Sequence, residues 1–176
     1  MTATAAVRTA AVTNPPHLRP RRKAGIRSEE SGKPKYKPMD NFGFLKVAAA
    51  MPHVRVGDCD FNTERIAAMA EEAAQRGVEI VAFPELAVTA YTCADLFLQP
   101  TLLNGAEAAL AHILEETGNL DLLTAVGMPI RYQNKLFNCA VMILRGEILG
   151  AIPKINIPNY TEFYEARWFT SGQDVY

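Results

Sequence analysis

The chain alternates continuous apolar runs with segments of helical period, and this order restricts the folds open to it. Leu45–Met51 is apolar and reads as a strand. Asn62 or Thr63 is placed to cap a helix in which Ile66, Met69, Ala70, Ala73 and Ala74 share one face, and Gly77 ends it with permissive positive-φ geometry. Val78–Phe83 is short and β-branched, as a fully buried strand requires. Asp95–Leu98 predicts a short turn of helix. A second helix spans about Leu102–Glu116, with Leu103, Ala106, Leu110, Ile113 and Leu114 on one face, and stops at Gly118. Leu120–Met128 reads as another buried strand, with Pro129 as its stop. Leu136–Leu144 and Ile148–Ile152 flank Arg145-Gly-Glu147, a Gly-centred hairpin turn. The order β-α-β-α-β-β-β predicts an α/β sandwich with helices covering a mostly buried sheet.

Charge divides the chain in two. Residues 1–38 carry nine Lys/Arg and two Glu, leaving nine basic against seventeen acidic side chains in the rest of the 176 residues. The acidic body excludes a nucleic-acid groove, which needs a basic stripe. The basic segment, with Asn14-Pro-Pro16 and Arg19-Pro-Arg-Arg-Lys23, has few residues able to bury area and predicts a disordered leader. Met39 is the expected native start; an Arg-rich transit peptide is the alternative reading. The domain is expected over residues 39–176. No secretory segment and no apolar run of about 18 residues occurs, so no membrane span is expected. Cys59, Cys93 and Cys139 with His17, His53 and His112 form no metal-ligand spacing. Reduced thiols and a cytoplasmic setting are the corresponding expectation.

Two residues stand out chemically. Glu85 follows Pro84 at the carboxyl end of a buried strand, where α/β sheets bind ligands. Burial of a carboxylate there disfavours its charged form and suits a general base; a solvent-facing cap of the next turn is the alternative. Lys154 lies between Pro153 and Ile155 in an apolar run. It is either an outward edge-strand charge or a buried amine paired to acid, able to stabilise an oxyanion or act as a nucleophile. Glu162 and Glu165 share a face only if their segment is helical; otherwise they belong to a surface turn stabilised by Arg167. Cys93 follows Glu85 by eight residues but has no basic neighbour in sequence to activate it. Cys139 reads as core. Cys59 sits in a loop between Asp58 and Asp60, which raise its pKa.

Phe83-Pro-Glu85 and Pro153-Lys154, in this order over roughly residues 42–176, resemble the carbon–nitrogen hydrolase (nitrilase-like) superfamily. Ala87-Val-Thr-Ala-Tyr91, Asp95-Leu96 and Pro158-Asn-Tyr-Thr-Glu-Phe-Tyr-Glu-Ala-Arg-Trp-Phe169 are similar, more narrowly, to the glutaminase domain of glutamine-dependent NAD synthetases. The resemblance implies a partial α-β-β-α sandwich and hydrolysis of the glutamine carboxamide. A cysteine thiolate attacks, Glu85 moves the proton, Lys154 holds the oxyanion and Glu165 is an additional glutamate beside them. Tyr91 and Phe163 match positions that hold glutamine. Ammonia then passes to a separate domain that uses ATP and Mg2+ to amidate deamido-NAD, in an enzyme expected to be a homo-oligomer. The family's nucleophile lies well downstream of its lysine, and all three cysteines here precede Lys154. The chain is therefore expected to be a fragment, inactive alone. A truncated stand-alone amidase and a non-catalytic oligomerisation fragment are the alternatives.

Overall fold

One five-stranded sheet carries the molecule. In the computed structural model, which describes residues 43–175, the elements run β1 (Val47–Ala49), α1 (Cys59–Gln75), β2 (Ile80–Ala82), a 3₁₀ segment Tyr91–Leu98, α2 (Pro100–Glu116), β3 (Leu123–Tyr132), β4 (Lys135–Leu144) and β5 (Glu147–Pro153). The expected leader and the start at Met39 lie outside the described residues. The sheet order is β1-β2-β3-β4-β5; the first three strands are parallel and the last two add antiparallel hairpins. The α/β class and the element order are those predicted from the sequence.

Both crossovers, β1-α1-β2 and β2-α2-β3, step the same way across the sheet. Right-handed crossovers then place both helices on one face, where α1 packs directly on α2. Ile66, Ala70 and Ala73 of α1 and Ala106, Leu110 and Ile113 of α2 meet Val81, Val126, Met128, Val141 and Ile143 in the core. The register puts the alternate strand residues on the other face, in rows such as Val47, Ile80, Leu123 and Leu144. That face stays partly open: Val47 is 65% and Ile152 48% exposed. One helix layer on one sheet is half of an α-β-β-α sandwich.

Several boundaries differ from expectation for local reasons. Helix α1 begins at Cys59, because the Asp58 carboxylate accepts from the Phe61 N–H and caps it. Asn62 is instead fully buried inside the helix and bonds the Arg55 and Val88 backbones. The strand expected at Leu45–Met51 is regular only over Val47–Ala49, and that at Val78–Phe83 only over Ile80–Ala82. Pro129 does not stop β3, which continues to Tyr132. Gly127, two residues earlier, turns its backbone toward the Val88 N–H and away from β4. By period-two alternation Pro129 directs its missing N–H to that same side, so no β4 bond is lost. The strand then turns through Gln133 and Asn134, both at positive φ, a two-residue hairpin that the sequence reading did not anticipate. The predicted hairpin at Arg145–Gly146 is present, again with both residues at positive φ.

Candidate active site

Glu85, Lys154 and Glu165 meet although they lie on three separate segments. Neighbouring strands stand about 4.8 Å apart, so the ends of β2 and β5 are roughly 14 Å apart across β3 and β4. Gly127 closes this gap. A Cβ there would collide with the backbone of Pro84, Glu85 and Leu86, so only glycine lets the segment after β2 cross β3 so closely. Leu86 follows at φ 52° and is fully buried, which fixes the crossing. On the far side, the Lys154 N–H donates to the Asn138 carbonyl at 2.8 Å and carries the β4–β5 ladder one residue past Pro153. The chain then returns, and the Gly172 N–H donates to the Lys154 carbonyl at 2.8 Å.

Lys154 is the centre of the cluster. Its Nζ donates to Glu85 Oε1 at 2.7 Å and stands 3.0 Å from both oxygens of Glu165. The outward edge-strand reading of this lysine is therefore excluded; its side chain is 28% exposed. Partial burial pulls the ammonium pKa down, but the hydrogen bonds and charges of Glu85 and Glu165 together push it above its ordinary value. Glu165 is 2% exposed and opens a short 3₁₀ turn, Glu165–Arg167, whereas Glu162 is exposed; the two glutamates do not form a pair. The Tyr91 hydroxyl donates to Glu165 Oε1 at 2.5 Å. Burial and then this bond to a carboxylate raise the phenol pKa.

Of the two readings of Glu85, a buried base or a solvent-facing cap, the structure gives neither in full. Its side chain is 42% exposed, and it is held by donors: Lys154 and the Asn138 side-chain amide, whose Nδ2 lies 2.5 Å from Oε1. Both bonds fall on one oxygen. Among the described residues nothing donates to Oε2. Asn138 is 3% exposed and was not among the candidates. Its signal was a polar residue at an interior position of an apolar strand, which must find a partner.

The cluster lies at a cleft of about 380 Å³ lined by Phe83, Glu85, Gly127, Asn138, Ile152 and Lys154, among others. Tyr91 reaches the cluster only through Glu165. Phe163 packs edge-on to Tyr160, with ring centroids 5.8 Å apart, and neither Tyr91 nor Phe163 lines this cleft. Arg167 does not support the glutamates; it pairs in bidentate fashion with Asp95, which also accepts from Trp168. These bonds hold the Asp95 carboxyl well below the usual carboxylate range and tie the 3₁₀ segment Tyr91–Leu98 to the turn bearing Glu165.

All three thiols are buried. Cys93 donates to the Thr89 carbonyl at 2.9 Å, and burial raises its pKa. Burial pushes Cys139 up to about 12. Cys59 is the first residue of α1 rather than a loop residue; burial is the main cause that brings it to about 11, ahead of Cys93, Asp60 and Asp58. None is a poised thiolate. Among the described residues no group of three or more His, Cys, Asp or Glu side chains converges to hold a metal ion, and no helix is long and apolar enough to cross a membrane.

Residues 46–176 match the Carbon-nitrogen hydrolase family. The chain belongs to that family. It is 38% identical over 130 residues to the glutamine-dependent NAD(+) synthetase of Mycobacterium tuberculosis (strain H37Rv), covering 74% of this chain and 19% of that protein. The solved glutamine-dependent NAD+ synthetase of Acinetobacter baumannii superposes with a TM-score of 0.68 at 32% identity, over 73% of this chain and 24% of the other. An amidase from Nesterenkonia sp. shares the fold at a TM-score of 0.64 and 18% identity, over 73% of this chain and 48% of the other. This carbon–nitrogen hydrolase chain thus spans about a fifth to a quarter of the length of the synthetases it matches.

Proposed function

We propose that residues 39–176 belong to the glutaminase domain of a glutamine-hydrolysing NAD synthetase. The observation that carries this reading is the Lys154 ammonium, held between Glu85 and Glu165 at the cleft. The similarity to two NAD synthetases supports the choice of glutamine as the amide.

The chemistry follows from the charges. A cysteine thiol loses its proton to Glu85 Oε2 as its sulfur bonds to the glutamine carboxamide carbon. The C=O electron pair moves onto oxygen, and the Lys154 ammonium faces that oxyanion. The C–N bond then breaks, Glu85 returns the proton to the departing nitrogen, and ammonia leaves a thioester. Water, deprotonated by Glu85, cleaves the thioester to glutamate and restores the thiol. Glu165 keeps the ammonium charged and aimed, and Tyr91 steadies Glu165. Tyr91 and Phe163 retain their proposed place in holding glutamine, in a part of the site outside the cleft described above. The buried, protonated state of Cys59, Cys93 and Cys139 assigns the nucleophile to none of them. In this reading ATP and Mg2+ belong to the synthetase domain of such an enzyme, and no step here runs through them.

A chimera tests the reading. Residues 46–176 replace the matching segment of the M. tuberculosis synthetase, and NAD formation is followed with glutamine or with free ammonia as nitrogen donor. The reading expects both donors to work. A chimera that uses ammonia normally but not glutamine, while remaining folded, contradicts it.

A further inference from the structure

We infer that Asn138 is a positioning residue for both members of the Glu85–Lys154 pair. Its side-chain Nδ2 donates to Glu85 Oε1 at 2.5 Å, and its backbone carbonyl accepts from the Lys154 N–H at 2.8 Å. One residue of β4 thereby holds the glutamate through its side chain and the lysine through its backbone.

The placement is a consequence of register. Asn138 pairs with Pro129 on β3, and strand alternation sets it on the same face as Gly127 and Ala140. Cys139 and Phe137, on either side of it in sequence, point to the opposite face. Asn138 is 3% exposed. A buried amide of this kind is costly unless it is bonded, and its donor finds the carboxylate. An apolar residue there would pack as well with its neighbours, but would leave Glu85 with Lys154 as its sole donor among the described residues.

Its effect on Glu85 is geometric. With Asn138 and Lys154 both on Oε1, the carboxylate cannot rotate without losing two charge-assisted bonds, so Oε2 stays free of donors among the described residues. An ionised carboxylate at position 138 would have no proton to donate and would repel Glu85. The contact stands on the geometry alone; its consequence for turnover rests on the reading of Glu85 as the base.

Two measurements separate these levels. In the 176-residue chain, the Asn138 side-chain amide is observed by NMR. Its bonded proton is expected downfield and protected from exchange, and Glu85→Ala is expected to move it upfield and remove the protection. Asn138 amide protons that ignore Glu85→Ala overturn the inference. In the chimera, Asn138→Ala and the isosteric Asn138→Asp are expected to lower glutamine-dependent kcat about tenfold or more with KM within about twofold. Ammonia-dependent turnover, which also reports folding, is expected to stay intact. Full glutamine-dependent kcat in Asn138→Asp, with Glu85→Gln inactive, overturns the inference alone. An active Glu85→Gln instead overturns the reading of Glu85 as the base.

Discussion

The Lys154 ammonium stands 3.0 Å from both carboxylate oxygens of Glu165, a side chain that is 3% exposed. Removing the cation leaves a buried carboxylate whose remaining described donor is the Tyr91 hydroxyl. Such a loss costs about 3 kcal/mol. Lys154→Met is therefore expected to lower the urea midpoint of the chain, and Lys154→Met with Glu165→Gln to recover most of the loss. Equal stability of wild type and Lys154→Met rules out this buried pair.

Tyr91 supplies a spectroscopic handle on the same carboxylate. Burial and the bond to Glu165 hold its phenol above the ordinary value of 10. The folded state binds this proton more tightly than the unfolded one. Its stabilising contribution is thus complete below pH 10 and is lost as pH rises through the raised folded value. The phenolate absorbance difference between wild type and Tyr91→Phe is expected to titrate above the ordinary tyrosine range, and to move down in Glu165→Gln. A difference that titrates at the ordinary value removes the Tyr91–Glu165 bond from the account.

Gly127 is expected to tolerate no side chain. A Cβ there meets backbone atoms of Pro84, Glu85 and Leu86, which cannot rotate aside as a side-chain tip can. Gly127→Ala is expected to cost about 2 kcal/mol and to displace Glu85 from Lys154. The checks are thermal unfolding and the Asn138 amide resonance. A fully stable Gly127→Ala chain with that resonance unmoved contradicts the close crossing.

The apolar pattern carried most of the fold. The faces of α1 and α2, the stop at Gly77 and the turn at Arg145–Gly146 were legible because each is set by local periodicity or by a single backbone demand. Pro129 was misread because its effect depends on which side of β3 it faces, a property of sheet order. Asn62 or Thr63 was read as the cap in place of Asp58 because all three residue types can cap, and only the path of Arg55 and Val88 shows that Asn62 is taken up elsewhere. Glu85 and Lys154 were legible by motif, but their contact spans 69 residues and depends on Gly127 and the β4 register. Asn138 left no periodic trace: one amide in an apolar strand looks like noise until its partner is placed.

The thiols give a further test. Burial holds Cys59 at about 11 and Cys139 at about 12, and raises Cys93 as well. At pH 8 the folded chain is expected to react slowly with a thiol-specific disulfide reagent, and all three cysteines to react promptly in denaturant. The same burial predicts that the purified 176-residue chain releases no ammonia from glutamine. Release that Glu85→Gln abolishes contradicts this assignment of the thiols.

The most direct test of the central claim, that Glu85 and Lys154 serve one amide-cleaving site, is ammonia release from glutamine by the chimera carrying residues 46–176. Glu85→Gln and Lys154→Met are each expected to abolish release to within about a thousandth of the starting rate while ammonia-dependent NAD formation persists. Glutamine hydrolysis that survives either substitution at a comparable rate contradicts the claim.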